Sequence, residues 1–242
     1  MKYSIIIPTL NEEKLIGELL IQLTNPDLRS KFNIEVIVSD GGSTDKTIEI
    51  AAEYVDLLIE HKNNYPQKIA CGRNAGAAEA KGDILIFLNA DIKLSDPLKF
   101  FHFIEHEFLN SNYLAMTCFV KIFPELVTTV DKIFHTAYNN YFALLNKIGI
   151  GMGRGECQVI RKEVFNQFGG YNEELAAGED FDLFRRIRKK GEILFTRKVV
   201  VYESPRRFRK FGYAYVTLTW IKNGFSILIK NKAVSDKWEP IR

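Results

Sequence analysis

Apolar residues in the first ninety positions fall into short unbroken runs separated by amphipathic stretches. Tyr3 to Ile7, Ile34 to Val38 and Ile84 to Leu88 are brief and β-rich, so each predicts a buried strand. Val55 to Glu60 is a weaker strand pattern of the same kind. Between the strong runs, Glu12 to Leu23, Asp45 to Tyr54 and Lys68 to Lys81 space their apolar residues as helices do. Strand alternating with helix predicts an α/β fold, a parallel sheet with crossover helices. The alternation weakens after Asp96-Pro97, where Leu98 to Asn110 and Asp131 to Ile148 read as helices. Ile148 to Gly155 holds four glycines and predicts a loop. Cys157 to Ile160 comes next as a strand, Lys162 to Phe168 as a short helix, Gly178 to Lys190 as a helix and Ile193 to Tyr202 as a strand. Pro205 then opens a basic turn, and an amphipathic tail runs to Lys230. No repeat, linker or low-complexity tract divides the chain, so one domain is expected.

Composition narrows the class. The 242 residues are 46% hydrophobic and 26% charged, which excludes a disordered or fibrous chain. A formal charge of +3 does not mark a nucleic-acid binder. Cys71, Cys118 and Cys157 lie far apart with no CxxC pair, which argues against a disulfide framework or a cysteine zinc site. The stretch Phe211 to Ile221 is well short of the ~20 apolar residues a spanning helix needs. With no signal-peptide pattern at the N-terminus either, the expected location is the cytosol.

The strongest signal is a polar cluster directly after each of the three best strands: Pro8-Thr9-Leu10-Asn11-Glu12, then Ser39-Asp40-Gly41-Gly42-Ser43-Thr44-Asp45, then Asn89-Ala90-Asp91. Open parallel sheets bind ligands beyond the carboxyl ends of their strands, so one site can collect all three. Glu13 and Asp45 suit the first turns of helices. Asp40 precedes Gly41-Gly42 and Asp91 precedes a short loop, positions that helix capping does not account for. A carboxylate there can accept a hydrogen bond from a base imide or a ribose hydroxyl, or hold a hard divalent cation beside a diphosphate.

The segments Ser4 to Glu13, Val38 to Asp45 and Gly72-Arg73-Asn74-Ala75-Gly76 resemble the nucleotide-binding half of family 2 glycosyltransferases. Gly169-Gly170-Tyr171, Gly178-Glu179-Asp180-Phe181-Asp182-Leu183 and Arg186 resemble the family's acceptor-side motif, so the likeness spans roughly Met1 to Tyr202. The resemblance implies a GT-A type fold, with a Rossmann-like, mostly parallel sheet flanked by helices. It divides the chain into a nucleotide-sugar half at 1–91, an acceptor half at 92–204 and a basic tail at 205–242. It implies inverting transfer from a nucleotide sugar, with UDP favoured, to a sugar, lipid-phosphate or small-molecule acceptor. Carried over by position, Pro8, Thr9, Asn11, Glu12 and Asp40 meet the nucleoside, with Ala90 beside them and Arg73 near the diphosphate. Asp91 becomes the ligand of Mg or Mn, and Asp180 the general base with Glu179 next to it. The family's Asp-x-Asp reads Asn89-Ala90-Asp91 here, so the first acidic position is an amide.

Two other classes are compatible with parts of the sequence. A sugar-phosphate nucleotidyltransferase shares the fold type, but its early Gly-rich loop is missing after Ile7. A nucleotide-sugar binder without catalysis fits Asn89. Three further patterns carry less. His102-x-x-Glu105-His106 has the spacing of some zinc peptidases but reads as the solvated face of a helix whose other face is Phe101, Ile104 and Phe108. Gly151 to Gly155 reads as a flexible loop that orders over a bound nucleotide. Arg206, Arg207, Arg209 and Lys210 are either a solvated turn before a packed helix or a contact for diphosphate, a lipid-phosphate acceptor or an anionic inner-membrane surface.

Overall fold

The computed structural model describes residues 1–63, 65, 67–230 and 232–234, so the last part of the predicted tail lies outside the described residues. Eight strands form one sheet: β1 (Lys2–Thr9), β2 (Asn33–Asp40), β3 (Leu57–Glu60), β4 (Ile84–Leu88), β5 (Ile92–Leu94), β6 (Ala115–Ile122), β7 (Cys157–Arg161) and β8 (Ile193–Glu203). Their spatial order is β3-β2-β1-β4-β7-β6-β8-β5. The first four are mutually parallel, β7 runs antiparallel to β4 and β6, β8 is parallel to β6, and β5 closes the far edge antiparallel to β8.

Both faces are covered, which is why the parallel strands read as continuous apolar runs. Side chains alternate across β1. Tyr3, Ile5 and Ile7 pack with α1 (Ile16–Leu23) and α5 (Pro97–Phe103), whereas Ile6 packs with α4 (Ile69–Glu79), α7 (Lys162–Gln167) and α8 (Glu179–Arg188). Helix α4 lies so close to β1 that a Cβ on Gly76 would sit 2.4 Å from Ile6 Cγ2. Glycine is required there for contact rather than for backbone conformation.

The structure corrects several element boundaries. Helix α1 begins at Ile16 rather than Glu12; Glu12 to Leu15 form a turn in which the Leu15 and Ile16 N–H groups both donate to the Glu12 carbonyl. Two short helices, α2 (Pro26–Lys31) and α3 (Thr47–Ala52), flank β2. Beyond α5 the chain continues as one π-helical turn, Ile104–Phe108. Strands β5 and β6 occupy segments with no predicted element. The expected basic turn after Pro205 is α9 (Arg206–Phe211), succeeded by α10 (Tyr213–Lys230). With α6 (Thr129–Lys147), these two helices build a separate aromatic core around Tyr138, Phe142, Phe208 and Tyr213. Buried Asp131 ties the three together, accepting from Arg209 Nη1 at 2.8 Å and from the Tyr213 hydroxyl. No helix among the described residues is long and apolar enough to cross a membrane.

Candidate active site

Topology brings five strand ends to one edge of the sheet. The carboxyl ends of β1, β2, β4 and β8 emerge there, and β7 must enter there because Cys157 pairs antiparallel with Leu88. A cavity of about 1,140 Å³ opens along this edge. Pro8, Thr9, Glu12, Ser39, Asn89, Ala90 and Asp91 line it from the strand ends, Glu179 and Asp180 from the start of α8, and Arg206 and Arg207 from α9. Lys68 and Arg73 line it from the start of α4, and an apolar wall comes from α6 and α10.

Asp40 and Asn11 do not line this cavity. Asp40 turns into its own loop, where Oδ2 accepts from the N–H groups of Gly42 at 2.9 Å and Ser43 at 2.8 Å, and Oδ1 from the Thr9 hydroxyl at 3.0 Å. Local turn hydrogen bonding therefore accounts for a carboxylate that helix capping did not. Asn11 clasps the same loop from β1, accepting from Thr44 N at 2.7 Å, while its own N–H donates to Ser43 Oγ. Glu13 and Asp45 cap reciprocally between the two loops. Ser39, one residue before Asp40, does line the cavity, and its buried Oγ has no hydrogen-bond partner.

Arg73 lies beneath the cavity with 1% of its surface exposed. Its Nη1 donates to Glu179 Oε1 at 2.7 Å, and its Nη2 to Asn89 Oδ1 at 3.0 Å and to the Gly155 carbonyl at 2.9 Å. The guanidinium also stacks 5.2 Å from the Tyr171 ring centre. The amide in the shortened acidic motif is thus engaged by Arg73, which joins that motif to the Glu179-Asp180 turn.

Gly178 precedes that turn with φ 80°, and a Cβ there would stand 2.6 Å from Ile227 of α10. Backbone conformation and close approach both demand glycine. Asp180 comes two residues later, half-buried, with the Phe181 N–H donating to it at 2.7 Å. A Cβ on Gly155 would be 3.3 Å from Arg73 Nη2 and from Asp180 Oδ2, so that glycine leaves the two groups room. Burial, and after it the Glu179 charge, push the Asp180 carboxyl up to about 7, with Arg73 and the Phe181 N–H pulling the other way.

Across the cavity, Arg206 Nη2 lies 2.6 and 2.8 Å from the two Glu12 carboxylate oxygens and 3.1 Å from Asp91 Oδ2. Two carboxylates thus converge on one positive charge. That donor chemistry fits a hard divalent cation, which takes oxygen ligands and fills its shell from phosphate and water. Burial lowers the Arg207 pKa, and the neighbouring Arg206 charge acts in the same direction.

Arg154, Glu156 and Glu203 are charged lining residues that no sequence motif marks. Arg154 bridges Glu156 at 2.9 Å and Glu203 at 3.0 Å. Burial raises the Glu156 pKa, but Arg154 outweighs it and holds the carboxyl down at about 2, whereas burial and the Glu156 charge push Glu203 well up. Glu203 ends β8 as the other polar clusters end their strands, and that was the available signal. The predicted flexible loop is packed instead: Asn146 hydrogen-bonds both the N–H and the carbonyl of Met152, and a Cβ on Gly153 would meet the Phe184 ring at 2.6 Å. Away from the cavity, the ligand atoms of His102, Glu105 and His106 lie within 4.8 Å of one another. Both histidines are exposed, and Glu105 accepts from the Tyr3 hydroxyl at 3.2 Å.

A sequence model of glycosyl transferase family 2 matches residues 4–169. The succinoglycan biosynthesis protein ExoA of Rhizobium meliloti is 30% identical over 232 residues, covering 86% of this chain and 67% of that protein. TarS of Staphylococcus aureus, a poly(ribitol-phosphate) β-N-acetylglucosaminyltransferase, is 37% identical over 97 residues, which is 38% of this chain and 16% of TarS. Among solved structures, the mannosyltransferase PcManGT of Pyrobaculum calidifontis, in complex with GDP-Man and Mn2+, superposes with a TM-score of 0.73 at 21% identity. That alignment covers 99% of this chain and 66% of PcManGT. TarS residues 1–349 give a TM-score of 0.61 at 21% identity, over 87% of this chain and 63% of theirs. The fold is that of GT-A glycosyltransferases. The chain spans about two thirds or less of the length of these relatives.

Proposed function

The chain belongs to glycosyl transferase family 2; from that premise we propose that it is a glycosyltransferase that moves a sugar from a nucleoside diphosphate to an acceptor hydroxyl with inversion, Asp180 being the general base. The observation that carries this reading is the shared cavity. Asp91 ends the nucleotide half, Asp180 opens α8 in the acceptor half, and both line one space.

In this reading the nucleoside lies against Pro8, Thr9 and Ala90, with the unpartnered Ser39 hydroxyl available to its base. Asp40 and Asn11 act indirectly, by shaping the two loops. Asp91, with Glu12 beside it, would hold Mg or Mn, which supplies Lewis-acid stabilisation of the leaving diphosphate. Arg206 and Arg207 contribute positive charge to the same oxygens. Asp180 accepts the acceptor's proton as its oxygen attacks the anomeric carbon and the bond to diphosphate breaks on the opposite face. Attack from that face inverts the carbon, so an α-linked donor gives a β-linked product. Glu179, anchored by Arg73, is a positioning residue for Asp180. UDP is the favoured diphosphate; PcManGT was solved with GDP-Man and TarS with UDP-GlcNAc, so the test spans both bases.

The test is a thermal-shift panel of UDP, GDP and their sugars with and without Mg or Mn, followed by assay of diphosphate release. A bound nucleotide at one hundred times its Kd stabilises the fold by about 2.7 kcal/mol. The expected result is a metal-dependent shift for one base and release from one of its sugars. Nucleotide binding with no release from any donor favours a binding protein instead.

A further inference from the structure

Two helices beside the cavity carry more apolar surface than the fold buries. On α6 the exposed residues Val130, Ile133, Tyr141 and Leu144 continue into Ile148 just beyond its end. Their spacing matches the helical repeat, so they form one stripe. On α10, Tyr215, Leu218, Ile221, Phe225, Leu228 and Ile229 form a second exposed stripe. It is distinct from the stripe of Tyr213, Val216 and Ile227 that the core covers. A helix apolar on two faces has more to bury than its own domain accepts.

Charge sets the kind of partner. Helix α10 contains no acidic residue, and the sole acid of α6, Asp131, is buried against Arg209 and Tyr213. Lys222 is exposed within the α10 stripe, and Lys147 is exposed at the end of α6 that the other stripe runs to. Apolar stripes among cations without exposed acids match an anionic bilayer surface. The cavity opens within this face, because Tyr141, Ile221, Phe225 and Leu228 both line it and reach solvent. The mouth is apolar, and Asp180 and Asp91 lie further along the same space.

We propose that the α6–α10 face docks on an anionic lipid bilayer, and that the cavity mouth admits the apolar chain of a membrane-anchored acceptor whose polar head reaches Asp180. The acceptor half of this proposal rests on the transfer reading above, whereas the docking half does not. The test is flotation of the full chain with vesicles of phosphatidylcholine alone and with about one third phosphatidylglycerol. The variant Ile133→Glu/Leu144→Glu/Leu218→Glu/Ile229→Glu changes only exposed positions outside the cavity lining, and circular dichroism and nucleotide thermal shift report its integrity. The wild type floats with the anionic vesicles, and the variant loses at least about tenfold in bound fraction while keeping its fold and nucleotide shift. Titration with dodecyl phosphate below its micelle concentration tests the mouth, and Ala137→Trp at its rim abolishes that binding. A folded wild type that binds nucleotide but does not float overturns the docking, as does a dimer that the four glutamates dissociate, since a second copy then covers the stripes. Dodecyl phosphate bound equally by Ala137→Trp overturns the chain-binding mouth. Flotation without any nucleotide shift supports docking and removes the transfer reading instead.

Discussion

Replacing Arg73 by Met is the most informative perturbation of the site's foundation. The guanidinium is fully buried and pairs with Glu179, itself only 6% exposed. Its removal strands a buried carboxylate and also leaves Asn89 Oδ1 and the Gly155 carbonyl without this donor. Breaking a buried pair from one side costs about 3–5 kcal/mol. For a chain of this size each kcal/mol lowers Tm by about 2–4 °C, so the variant should melt roughly 6–20 °C below the wild type. Urea unfolding of Arg73→Met, Glu179→Gln and the double variant forms a cycle. The double variant should cost less than the sum of the two singles, because the second change removes the stranded charge. A functional readout accompanies it. Arg73 lowers the Asp180 pKa, so its loss should move the acidic limb of the transfer profile upward in pH. An Arg73→Met variant that loses under ~1 kcal/mol, or whose cycle is additive, would refute the pair as the joint between the two motifs.

The same geometry sets other outcomes. Asp180 is raised to about 7 in the fold, so the native state holds a proton that the unfolded chain releases near pH 4, and stability falls as pH rises through that window. Asp180→Asn should therefore unfold at higher urea than the wild type at pH 8, with the difference shrinking below pH 4. Arg206→Ala should raise the donor KM by about tenfold or more, since it removes a cation from the cavity and leaves Glu12 and Asp91 facing each other. The same variant should bind Mn2+ alone more tightly, measured by electron paramagnetic resonance. Gly76→Ala should cost about 1–3 kcal/mol in urea unfolding by overpacking against Ile6, with little change in KM.

The parallel half was legible because its strands are buried on both faces and its helices are amphipathic, so the two periods separate cleanly. The second half was less so. Strand β6, Ala115–Ile122, mixes small, polar and aromatic residues and is buried on both faces over most of its length, so no alternation marks it. Strand β5 has three residues and exists only because β8 offers its edge. The site shows the same divide. Pro8, Thr9, Glu12, Ala90, Asp91, Glu179 and Asp180 were visible as polar groups at strand ends or in a motif, and the cavity gathers them. Asp40 and Asn11 looked no different in sequence, yet the fold turns them into their own loops, while Arg73 lines the cavity as its buried foundation. Residue type cannot tell a carboxylate aimed at a ligand from one aimed at its own backbone. The Arg154, Glu156 and Glu203 cluster needed the antiparallel entry of β7 before its members became neighbours.

If one cavity unites donor binding at the strand ends with proton removal at the start of α8, then affinity and turnover must separate at Asp180. Side-by-side measurement of donor affinity and metal-dependent diphosphate release in wild type and Asp180→Asn tests this most directly. The expected result is unchanged affinity with release slowed by about 10²–10⁴-fold. Release at close to the wild-type rate would contradict it.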